Sequence, residues 1–151
     1  MNSLAEVKDF VAQKTLAMVG LSRDEKAFSA NIFKELTTKG YKLLAVNPNA
    51  TSIGGRPCYP SIASLPEKVG GVLIVTSAAQ TDKVVREAAD QGITRVWIQQ
   101  GASTPAAEKL CRERGLSAVS GKCIMMFAEP VNSIHSAHRW FSKVFGQLPR
   151  A

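Results

Sequence analysis

A chain of 151 residues with 45% hydrophobic and 21% charged residues has the balance of one folded domain with an ordinary apolar core. That excludes a disordered chain and removes any need for a stabilising disulfide or metal. The formal charge of +7 favours an anionic partner, which could be nucleic acid, a membrane surface or a multiply phosphorylated small molecule, but the basic residues are scattered without a run of like sign, which does not favour nucleic acid.

Leu4, Val7, Phe10 and Val11 recur at helical spacing and predict a short N-terminal helix. The stretch LAMVGLSRDEKAFS follows: apolar residues run into Gly20, then come Ser22, Arg23, Lys26 and Ser29, with a helical pattern opening at Phe28. It reads as a strand at 15–21, a tight turn and a helix start. Such a junction aims backbone N–H groups and the positive end of a helix dipole at one spot, which suits a phosphate. A single glycine leaves open the plainer alternative, an ordinary loop whose serines cap the helix. Phe28, Ile32, Phe33 and Leu36 give that helix its apolar face, and Gly40 marks its stop. A second strand at 42–47 is halted by Pro48. Residues 49–60, with Gly54-Gly55 and Pro57, read as loop, and 61–65 as one helical turn.

The apolar run GVLIVTS at 71–77 has the mark of a central parallel strand. Val84, Val85, Ala88 and Ala89 predict a helix ending near Gly92. A strand at 95–100, RVWIQQ, stops at Gly101. Thr104 then caps a helix with Pro105 in its first turn and Cys111 on its core side, and 116–120 form a short last strand. Further on, Ile134, Ala137, Phe141, Val144 and Leu148 predict a C-terminal helix over about 131–147 that closes one side of the sheet. Its Trp140-Phe141 pair leaves a homodimer seam open.

Strands alternating with helices imply an α/β fold: one domain, 1–151, with a Rossmann-like doubly wound sheet of about five parallel strands. Ligands then sit beyond the carboxyl ends of the strands. Those ends carry Gly20-Leu21-Ser22, Asn47-Pro48, Thr76-Ser77 and Gln99-Gln100-Gly101. A dinucleotide site wants G-x-G-x-x-G and an acid closing the second strand; both are missing, which disfavours NAD but not an adenosine with an extra ribose phosphate. Gly121-Lys122 is followed by Cys123, which excludes a P-loop.

Cys58, Cys111 and Cys123 are odd in number and far apart, so reduced thiols in a cytoplasmic protein are expected, with no disulfide framework. The acidic N-terminus and the lack of a long apolar run predict neither a secretory signal nor a membrane span. His135 and His138 lie three apart, with Cys123 and Glu129 not far away in sequence. No further metal ligand or orienting group stands out, so neither a metal site nor a Cys–His nucleophile is expected.

The segments VGLSRDEKAFSANIFKEL, GYKLLAVNPNATSIGGRPCYPSI, VLIVTSAAQ and RVWIQQGASTPAAE, in that order, resemble the small stand-alone CoA-binding domain family. That family is similar in turn to the nucleotide-binding domain of the succinyl-CoA synthetase alpha subunit. The resemblance covers roughly 11–123 and implies coenzyme A, or an acyl-CoA, held at the strand ends. It implies that Gly20, Leu21, Ser22 and the helix start at Ser29 meet phosphates with help from Arg23 or Lys26. Val46, Asn47 and Pro48 would border the adenosine with Ile53 as a lid. Thr76 and Ser77 would approach the pyrophosphate or the arm, and Gln100 and Gly101 the pantetheine end. The expected function is a ligand-binding module without catalysis. Its rivals are a small enzyme acting on CoA thioesters through Cys123, His135 or His138, and an NADP(H)-responsive interaction protein.

Overall fold

A computed structural model describes residues 1–128. The predicted helix at 131–147, the homodimer seam, Glu129, His135 and His138 lie outside the described residues.

The chain opens with α1 (Leu4–Ala12), set by a capping box. The Ser3 hydroxyl accepts from the Glu6 N–H at 3.1 Å, and the Glu6 carboxylate accepts from the Ser3 N–H at 3.2 Å, satisfying two backbone donors reciprocally. There follow β1 (Thr15–Val19), α2 (Phe28–Thr38), β2 (Lys42–Val46), β3 (Ser52–Ile53), β4 (Arg56–Tyr59) and a 3-10 turn at Ile62–Ser64. Then come β5 (Gly71–Ile74), α3 (Ala78–Asp90), β6 (Arg95–Gln99), α4 (Pro105–Glu113), β7 (Ser117–Lys122) and a second 3-10 turn at Ile124–Met126.

The strands form one sheet in the order β3-β4-β2-β1-β5-β6-β7. Every pairing is parallel except β3 with β4. The five expected strands are all present, although β1 and β5 stop short of the turns at their carboxyl ends. The expectation of a loop at 49–60 is corrected: this stretch contains a β-hairpin that brings the sheet to seven strands. Gly54 and Gly55, at φ 58° and 76°, supply the two left-handed residues that a tight hairpin turn needs. Ser52 and Ile53 are too few to show an alternation, and Pro57 reads as a strand breaker, so the hairpin is invisible to periodicity.

Alternate strand residues feed two cores, as the pleat requires. On one face Leu16, Met18, Trp97 and Val119 pack against Val7 and Phe10 of α1 and Ile32 and Leu36 of α2. The Trp97 ring lies between Phe10 and Phe127, with centroids at 5.5 and 5.7 Å. On the other face Ala17, Val72, Ile74 and Ile98 meet Val85 and Ala88 of α3 and Ala107 and Cys111 of α4. The sheet is therefore doubly wound. β1 connects outward to β2 through α2 on one face, and β5 to β6 and β7 through helices on the other. The order reverses between β1 and β5, where open parallel sheets form a crevice.

Candidate ligand-binding cleft

Register brings the polar turns to one edge: Val19 lies beside both Val46 and Ile74, and Ile74 beside Ile98. Gly20 then leaves β1 at φ 101° and donates its N–H to the Val46 carbonyl at 3.1 Å. A Cβ on Gly20 would stand 2.7 Å from the Thr76 backbone nitrogen, so the chains after β1 and β5 approach this closely only because no side chain intervenes.

The loop between Gly20 and α2 is folded on its own side chains. The Ser22 N–H donates to Ser29 Oγ at 3.0 Å, the Asp24 N–H to Ser22 Oγ at 3.1 Å and the Lys26 N–H to Asp24 Oδ1 at 2.9 Å. The serines do not cap α2: its N-cap is Ala27, without a side-chain hydrogen bond. α3 likewise starts after Ser77 without one, whereas Ser3 and Thr104 cap α1 and α4. The two helices flanking the crossover thus keep first-turn N–H groups that no side chain satisfies.

A cleft of about 310 Å³ opens here. Gly20, Ser22 and Ser29 line one side and Thr76, Gln99, Gln100 and Gly101 the other, with Phe28 also in its wall. Thr81, fully buried, donates its hydroxyl to the Ala102 carbonyl at 2.6 Å and lies 3.3 Å from Thr76 Oγ1, tying the turns after β5 and β6 together. Ser22 also lines a neighbouring cleft of about 330 Å³, with Leu21, Arg23, Lys34, Ile53 and Arg56. The Arg56 guanidinium lies 5.0 Å from the Phe33 ring centroid, in cation–π range. Three basic side chains against one acid, Glu25, suit this hollow to an anion. A larger hollow of about 570 Å³ lies at the opposite edge beside Gly70 and Arg95, away from the strand ends where parallel sheets hold ligands.

Of the residues singled out from the sequence, Gly20, Leu21, Ser22, Arg23, Ser29, Ile53, Thr76, Gln100 and Gly101 line the two clefts. Lys26, Val46, Asn47, Pro48 and Ser77 line neither. Val46 is buried in the sheet. Asn47 is a brace: its Nδ2 donates to the Leu21 carbonyl at 3.2 Å and its Oδ1 accepts from the Asn49 N–H at 2.8 Å. Sequence reasoning placed Gln99 at a strand end without counting it a site residue, and missed Lys34 and Arg56. Arg56 was hidden with its hairpin, and Gln99 by the choice of its neighbour Gln100 as the cleft residue.

Burial raises the Cys58 thiol above its usual range, and the thiol donates to the Asn47 carbonyl at 3.7 Å. Burial, reinforced by Glu108, pushes Cys111 up to about 11. Both are protonated at neutral pH and poor nucleophiles. Cys123 is buried at the start of the second 3-10 turn and lines neither cleft. Among the described residues no three His, Cys, Asp or Glu gather as metal ligands, and no helix is long and apolar enough to cross a membrane.

Comparison with known proteins places these features in a family. The acetate–CoA ligase (ADP-forming) II of Archaeoglobus fulgidus is 31% identical over 109 residues, spanning 71% of this chain but only 16% of that protein. The uncharacterized protein YneT of Bacillus subtilis is 26% identical over 123 residues, 81% of this chain and 91% of that one. A solved structure of a hypothetical protein from Pyrococcus horikoshii OT3 superposes with a TM-score of 0.75 at 27% identity, covering 83% of this chain and 92% of the other. Residues 14–129 match the CoA binding domain family, and with the matched region spanning the sheet and both clefts, the chain belongs to that family.

Proposed function

We propose that the protein binds coenzyme A or a short acyl-CoA across the two clefts, as a ligand-binding module that performs no chemistry on it. The observation that carries this reading is the meeting of Gly20, Ser22 and Thr76 at the β1–β5 crossover, beside an α2 N-terminus that no side chain caps. A pyrophosphate placed there gains backbone N–H donors and the helix dipole. The adenosine and its ribose phosphate would occupy the basic cleft of Arg23, Lys34 and Arg56, and the arm would run past Thr76 towards Gln99. The ligase relatives carry CoA in their names, but this chain matches only 16% and 20% of their lengths, so their turnover is not assigned to it. Three free cysteines suit a reducing cytoplasmic setting.

Mass spectrometry of the natively purified protein is expected to find CoA or an acyl-CoA. Calorimetry is expected to rank CoA above dephospho-CoA, and dephospho-CoA above NAD, with the first gap narrowing as salt rises. A charge-assisted hydrogen bond contributes about 1.5–3 kcal/mol, so Arg56→Ala should cost roughly tenfold or more in CoA affinity. Equal affinity for CoA and NAD would overturn the assignment, and robust thioester hydrolysis or acyl transfer would replace a binding module with an enzyme.

A further inference from the structure

Phe28 belongs to the apolar stripe of α2 but not to the core. It opens the helix on the same face as Ile32 and Leu36, at successive steps of one turn. Ile32 and Leu36 are fully buried against the sheet, whereas Phe28 is 57% exposed. The sequence pattern groups the three together; the fold leaves Phe28 one turn further out, where the strands have ended. A helical side chain leans towards the N-terminus of its own helix, and α2 starts at the carboxyl ends of the strands. The ring therefore overhangs the cleft that Phe28 helps to line.

The cleft beneath that ring is uncharged. Ala27, Ile32, Val75 and Ala102 line it with Phe28, and among the described residues none of its lining side chains is ionisable at neutral pH. Arg23, Lys34 and Arg56 all lie in the neighbouring hollow, on the far side of Ser22, which borders both. Phosphates are thus met at the Ser22 end, while a second anion placed deeper under Phe28 would find no cation. Burying an unpaired carboxylate is costly, whereas burying methylenes against an aromatic ring is favourable. A cleft of about 310 Å³ that also admits the arm leaves room for only a few carbons.

We infer that the ligand is a thioester with a neutral, short acyl chain, and that Phe28 is the specificity-determining residue that selects it against free CoA and against acyl groups ending in a carboxylate. The inference rests on the reading of the cleft as a CoA site. It adds the chemical class of the acyl group and the side chain that recognises it.

The test is calorimetry of the full chain with CoA, butyryl-CoA and succinyl-CoA, the last carrying a carboxylate in place of the terminal methyl of butyryl. Each buried methylene is worth about fourfold in affinity. The parent is therefore expected to bind butyryl-CoA about tenfold tighter than CoA, and succinyl-CoA no tighter than CoA. Phe28→Ala should cut the butyryl advantage to about threefold or less, and Phe28→Leu, which keeps an apolar side chain, should restore most of it. Each ratio compares ligands on one protein, so a loss of folded chain cancels from it. A parent that binds succinyl-CoA or CoA as tightly as butyryl-CoA overturns the neutral acyl class. An unchanged ratio in Phe28→Ala overturns the role of Phe28. Both of those results leave the CoA site standing, whereas a parent that binds none of the three overturns the CoA reading itself.

Discussion

At Gly20 the backbone itself forms the cleft wall, and this changes what a substitution there reports. With φ 101° and a Thr76 nitrogen 2.7 Å from an added Cβ, a valine at Gly20 would strain the β1–β5 junction before any ligand arrives. Arg56 is a cleaner probe because its change leaves the backbone alone. Glu6 offers a test of a different kind. Partial burial pushes its carboxyl up, but hydrogen bonds from the amino-terminal ammonium, Ser3 and the Ala118 N–H outweigh that and hold it below its ordinary value. A depressed folded-state value stabilises the fold above the unfolded value, near 4.5, and that stability is lost as pH falls through the folded value. Denaturant titration should accordingly find Glu6→Gln less stable than the parent at pH 7, with the gap closing below about pH 4. A gap that is unchanged at acid pH would mean the carboxylate charge contributes nothing.

Among the elements, α4 has a start that is specified locally. Thr104 Oγ1 accepts from the Ala107 N–H at 3.0 Å, and Pro105 follows at the first helical position, where a missing N–H costs nothing. Thr104→Ala should lower stability by about 1 kcal/mol with CoA affinity unaltered, as read from chemical denaturation and calorimetry on the same samples. A loss of affinity without a loss of stability would place Thr104 in the ligand's path. α2 is the reverse case. It begins at Ala27 with no side-chain cap, so its first-turn N–H groups stay open to another partner.

At the scale of the molecule, binding should appear as stability. A ligand that binds only the folded state adds RT ln(1 + [L]/Kd), about 2.7 kcal/mol at a hundredfold excess over Kd. For a chain of this size that corresponds to a rise of roughly 5–10 °C in the melting temperature. Thermal unfolding with CoA should show it, and NAD at the same concentration should shift the midpoint less. The same shift with both would remove the ribose phosphate from the recognition argument.

The order of strands and helices was legible in the residues because each core strand and helix carries a strong local signal. GVLIVTS is apolar on both faces, Phe28, Ile32 and Leu36 repeat at helical spacing, and Thr104-Pro105 and Gly40 mark ends. That Gly20, Ser22, Thr76 and Gly101 gather at one edge could be read in advance because a doubly wound topology fixes which ends of its strands share that edge. The hairpin at Ser52–Tyr59 could not be read, since β4 is held by β2 and β3 by β4, and neither short strand carries a pattern of its own. Nor could the sequence divide Gln99 from Gln100, or Asn47 the brace from Asn47 the contact. Which of two adjacent amides is buried, and which already has its partners, depends on the face each strand turns to α2. Only the packed sheet decides that.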